Sequence, residues 1–199
     1  MVDDALAANP PHARRDIQAL LRKRGSELEK LMREGKAPSY DDLVGWEFAG
    51  TNLGAVTDLL GIRKFKKGFY RGDPRVPHRA SHGPREFIQG YNVVVKQNGI
   101  ANPHVAHPDE RAPKRHGFYR VHPVDASAKE SKYPNALILH YGLGRNGGNP
   151  AALLRDYLVQ PFGDDPDLLL GKAYLAIGGL RIPAGYFVLV RHNQHQFTG

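Results

Sequence analysis

Cysteine is absent from this 199-residue chain, which rules out disulfide frameworks, thiolate zinc sites and cysteine nucleophiles together. No apolar run approaches the roughly 18 residues of a membrane-spanning helix. The opening MVDDALAANPPHARRD carries acid before any apolar stretch, so no secretory leader is expected and the expected address is cytoplasmic. No HExxH pattern occurs, and no serine stands in the strand, turn and helix glycine context of a nucleophile elbow. The G-x-G of GLGRNGG at 142–148 is not followed by a helical pattern, so a dinucleotide cradle is not expected. Histidines 78 and 82, and 104 and 107, have helical spacing but sit in proline-rich stretches, so no metal site is expected.

Acid is scarce in one place. Residues 62–85 hold 8 basic and 1 acidic side chains, against 8 and 10 in residues 1–61 and 12 and 9 in residues 86–199. Nearly all of the net charge of +8 therefore lies in IRKFKKGFYRG and the loop after it. A concentrated basic patch gathers anions such as phosphate, anionic lipid headgroups or nucleic acid.

What the chain has is a change of pattern near residue 43. In residues 12–35, Ile17, Leu20, Leu21, Leu28, Leu31 and Met32 recur at helical offsets, with a break at Gly25-Ser26 and stop signals at Gly35 and Pro38. This predicts an N-terminal helical extension over residues 1–42. From 43 to 199 the pattern is of short apolar or alternating runs separated by Gly, Pro, Asn and Asp. Eight strands are predicted, at 44–50, 64–71, 86–97, 117–122, 136–142, 153–160, 168–177 and 183–191. Leu53, Val56, Leu59 and Leu60 predict a short helix between the first two, with Asn52 as its N-cap and Gly61 just past its end. No later strand alternates with a long helix, so the expected class is mainly β: an antiparallel sheet of about eight strands that removes its edges by closing.

The order of helix, strand with Gly45-Trp46, short helix, then a meander ending in GYFVLVR resembles the calycin-type barrels, the lipocalins, fatty-acid-binding proteins and small bacterial relatives that carry a G-x-W-x-G start. Here glycine and tryptophan are adjacent and the second glycine is Gly50. The resemblance implies a small apolar or amphipathic ligand held inside the barrel, with residues 53–60 as a lid.

Candidate ligand-binding residues are Trp46, Phe69, Tyr91, Asn92, His140, Tyr157, Lys172, Tyr174 and Tyr186, whose rings and polar tips can wall a pocket and orient a ligand, or simply fill a core. Arg63, Lys64, Lys66, Lys67 and Arg71 form a candidate anion-binding rim. Interleaved with Phe65, Phe69 and Tyr70, the same cations also suit a surface that grips single-stranded nucleic acid or an anionic lipid surface. An enzyme using the barrel is the third reading, with His122, His140, Asp156 and Tyr157 as acid–base candidates. No cofactor is expected, and haem on His122 or His140 is the alternative.

Overall fold

A computed structural model describes residues 17–54, 61–72, 88–127, 131–163 and 165–199. The predicted lid helix, apart from Leu53 and Gly54, and the basic loop from residue 73 to 85 lie outside the described residues. Eight antiparallel strands run as a meander: β1 (Trp46–Leu53), β2 (Lys64–Arg71), β3 (Ile88–Val93), β4 (Arg115–Pro123), β5 (Leu137–His140), β6 (Leu154–Val159), β7 (Leu168–Ile177) and β8 (Leu180–Gln194). Each pairs with the next, and β8 returns to pair with β1 from Trp46↔Gln194 to Leu53↔Tyr186, closing the barrel. Closure leaves no unpaired edge, as the strand count predicts.

The N-terminal pattern forms a helical segment at 17–21 and helix α1 (Gly25–Glu34). The break falls at residues 22–24, just before the expected glycine, because Glu27 reaches back to accept the Arg24 backbone N–H at 2.9 Å and starts a new helix there. Leu20, Leu28 and Met32 are buried against the barrel. A one-turn helix α2 (Tyr40–Leu43), not expected from the sequence, is capped by Ser39, whose Oγ accepts from the Asp42 N–H. The chain then turns at Gly45, with φ +82, and β1 starts two residues later than expected and runs on through Asn52, which is thus a strand residue.

Strand alternation sorts the side chains. One core cluster draws on all eight strands, including Phe48, Phe69, Ile88, Tyr119, Leu139, Leu158, Leu169 and Phe187, and so lies inside the barrel. A second, with Leu28, Met32, Tyr157, Tyr174 and Val188, lies between the N-terminal helices and the outer face of β6–β8. In a third, Tyr70, Tyr91 and Val93 are covered by the chain end through Phe197. Both faces of the wall are therefore apolar in places. Close strand approach is filled by rings: a Cβ on Gly68 would meet Tyr91 at 2.3 Å and one on Gly171 would meet Phe187 at 2.1 Å.

Candidate functional site

The basic run is not an exposed rim. Lys64, Lys66 and Lys67 are 1%, 0% and 3% exposed, so three of the five candidate anion ligands are withdrawn from solvent. The reason is alternation plus cover. Lys64 and Lys66 point outward, where residues 98–110 fold over them. The Lys64 ammonium donates to Asn98 Oδ1 and to the carbonyls of Asn102 and Pro103, both at 3.0 Å. Lys66 donates to both oxygens of Glu110, at 2.9 and 3.1 Å, with Glu47 3.8 Å away. Arg63 and Arg71 are exposed, and Arg71 pairs with Asp41 at 3.0 Å.

Lys67 points inward. Its ammonium donates to Asp156 Oδ2 at 2.9 Å, Asn92 Oδ1 at 2.9 Å and the Tyr141 hydroxyl at 2.5 Å. The Tyr141 hydroxyl in turn donates to Asp156 at 3.0 Å. Ring centroids of Phe65, Tyr119, Tyr141 and Phe187 lie 5.1–5.2 Å from the ammonium, in reach of cation–π attraction. Burial pushes the Lys67 pKa down, and Asp156 partly opposes this. Phe69 and Asn92, read from sequence as ligand contacts, belong to this filled centre, as does the acid–base candidate Asp156.

The candidate aromatic residues divide between the two faces of the barrel wall. Trp46 packs on the inner cluster, with the Arg191 guanidinium 4.7 Å from its ring. Tyr91, Tyr157, Tyr174 and Tyr186 lie on the outer face, because there the N-terminal helices and the chain end supply a second apolar cover. Lys172, also outward, meets Glu29 of α1 at 2.7 Å, and Glu29 Oε2 accepts as well from Tyr133 at 2.8 Å and Tyr186 at 2.9 Å. Burial would raise the Glu29 pKa, but the Lys172 ammonium and the two hydroxyls outweigh it and hold the carboxyl at about 2. Glu29 was not read from the sequence, where it is one of several charges on a mixed polar face.

Two cavities lined by described residues lie outside the barrel wall. The larger, about 380 Å³, is a cleft between the N-terminal helices and the end of β1, floored by Leu21, Leu28, Leu53 and Ile100, with Lys23 and Arg63 at its polar side. Tyr186 also lines it. The smaller, about 130 Å³, brings together three of the four acid–base candidates, His122, His140 and Tyr157, with Arg155 and Arg181. The two histidine rings are 6.2 Å apart. Burial first, then the charges of Arg155, His122 and Arg181, lower the His140 pKa to about 4, so the ring is neutral at pH 7. Asp156, on the inner face of β6, does not join them. No group of three or more His, Asp or Glu is placed to hold a metal among the described residues. Comparison with protein-family models, curated proteins and solved structures finds no match to this chain.

Proposed function

We propose that the protein is a calycin-like binding protein for a small amphipathic molecule with an anionic group, and that it takes this ligand in the 380 Å³ cleft between the N-terminal helices and the barrel end. The carrying observation is that cleft: its volume falls within the roughly 300–1,000 Å³ of small-molecule sites, and its apolar floor with a cationic side suits a hydrocarbon body and an acidic head. The barrel centre is a poorer host, since Lys67, Asp156 and four rings already fill it. The alternative, a nucleic-acid or anionic-surface grip through residues 62–85, has less to work with in Lys64, Lys66 and Lys67, whose ammonium groups backbone carbonyls, Glu110 and Asp156 already hold.

The test is displacement of a fluorescent fatty-acid analogue by medium-chain carboxylates, with native mass spectrometry of the freshly purified protein. Ile100, 50% exposed, can change without loss of core, so Ile100→Glu reports on the cleft alone. Micromolar binding that falls about tenfold or more in Ile100→Glu, and also in Arg63→Ala, supports the reading. Absent binding, or equal binding in both variants, overturns it.

A further inference from the structure

The chain holds two Asn-Gly sequences, Asn98-Gly99 and Asn146-Gly147, and the fold treats them differently. Glycine after asparagine leaves no Cβ to crowd closure of the glycine nitrogen onto the side-chain amide. Asn146 is locked away from that reaction. Its Nδ2 donates to the carbonyls of Phe118 and Tyr141, at 2.8 and 2.6 Å, and its Oδ1 accepts the Phe118 N–H at 2.9 Å. Asn98 lies in the β3–β4 connection, where it covers Lys64. Its Oδ1 accepts from the Lys64 ammonium, while no group among the described residues accepts from its Nδ2 or from the Gly99 N–H. Asn102 fixes the turn from the other side, its Nδ2 donating to the Asn98 carbonyl and its backbone N–H to the Gly99 carbonyl at 3.2 Å. The turn itself requires glycine, with φ +95 and Asn102 Nδ2 only 3.3 Å from where a Cβ would stand. Asn98 and Gly99 are both exposed, so water reaches the amide.

We infer that Asn98-Gly99 is a self-modifying site, at which the Lys64 ammonium promotes conversion of the asparagine to aspartate or isoaspartate. The Gly99 nitrogen gives its proton to solvent base and bonds to Asn98 Cγ, and negative charge gathers on Oδ1, where the Lys64 N–H already points. A fixed donor at the atom on which charge develops stabilises the transition state as an oxyanion hole does. The Cγ–Nδ2 bond then breaks, Nδ2 takes a proton from water and leaves as ammonia, and water opens the resulting succinimide at either carbonyl. The sum is amide plus water giving acid plus ammonia, with no change of oxidation state. The product suits its surroundings. Of the three buried lysines of β2, Lys66 meets Glu110 and Lys67 meets Asp156, whereas the partners of Lys64 are the Asn98 amide oxygen and two backbone carbonyls. An acid at position 98 supplies that enclosed ammonium with a carboxylate.

The full chain is aged at neutral pH beside a synthetic peptide of residues 94–104, and both Asn-Gly sequences are followed by peptide mapping, which reads the amide-to-acid mass gain and separates aspartate from isoaspartate. Asn98 in the folded chain is expected to convert about tenfold or more faster than in the peptide, with Asn146 lagging both. Lys64→Met, which removes the ammonium and keeps an apolar stem, should bring Asn98 down to the peptide's rate. Asn98→Asp, with the product in place from the start, should melt at a higher temperature than the parent, and that gain should vanish in the Lys64→Met background. Conversion of Asn98 no faster than in the peptide overturns the inference, as does an undiminished rate in Lys64→Met. If Lys64→Met loosens the barrel, the rate in the parent against that in the peptide decides by itself.

Discussion

Two lysines of the same barrel, Lys67 inside and Lys172 outside, each meet one carboxylate and several aromatic rings, and the wall between them gives them opposite character. The Lys67 and Asp156 side chains are 3% and 4% exposed, and the ammonium is sealed among four rings. Removing water from it costs more than the pairing returns, so its pKa falls. The Lys172 and Glu29 side chains are 12% and 26% exposed. There burial is outweighed by the hydrogen bonds that the Lys172 ammonium donates to Glu29 and the tyrosine hydroxyls, and its pKa rises. The first pair is a polar constraint inside a core. The second is a latch that holds α1 to the barrel.

The largest effect is expected from splitting the inner pair. Lys67→Met or Asp156→Val alone leaves one charge buried without its partner and should lower the unfolding free energy by about 3–5 kcal/mol in urea titrations. The double variant should lose less than the two single losses added together, by about 2–3 kcal/mol. Strict additivity would mean that the two groups are not energetically coupled.

Next comes the latch. Glu29→Gln should cost about 1–2 kcal/mol, less than the inner singles because the carboxylate is partly solvated. Its pH dependence has a definite sign. A carboxyl whose folded pKa is about 2, against an ordinary 4.5, stabilises fully above pH 4.5 and loses that contribution as pH falls toward 2. The gap between the parent and Glu29→Gln should therefore be widest at neutral pH and close in acid. A gap that stays constant from pH 7 to pH 2 would rule out the latch as an ionic contact.

His140 supplies an intermediate window. Its folded pKa of about 4 lies below the ordinary 6.5, so the unfolded chain takes up the proton first, and stability drains as pH falls from 6.5 toward 4. His140→Phe should flatten the stability profile across that interval, leaving the acid limb due to Glu29 intact. The smallest effect belongs to Lys30–Glu34 on the solvent face of α1, 71% and 60% exposed. Lys30→Ala should change stability by less than about 0.5 kcal/mol, which sets the scale of an ion pair that neither region encloses.

Much of the fold was legible. β2 and β7 have the expected bounds of 64–71 and 168–177, because apolar alternation and the turn glycines Gly72 and Gly178-Gly179 mark their ends. Other strands shift by a few residues: β8 extends from Leu180 to Gln194 because it pairs on both sides, with β7 and with β1. The sites were less legible. His122, His140 and Tyr157 could be singled out, but their meeting with Arg155 and Arg181 depends on strand register and on a hairpin from elsewhere in the chain. No local signal pointed to Glu29, whose partners Tyr133, Lys172 and Tyr186 lie 104 to 157 residues further along.

The sequence by itself determined the eight strands, their antiparallel order and the N-terminal helix, since these follow from local periodicity and turn chemistry. Which face of each strand is interior was decided only by the tertiary structure. Alternation assigns residues to two faces without naming either, and here the outer face is also apolar where helices and the chain end cover it. For the same reason three lysines in one run came to three different ends. Lys64 is bound by loop carbonyls, Lys66 by Glu110 and Lys67 by Asp156 inside the barrel, because closure of the sheet and the fold of a distant loop placed those partners there.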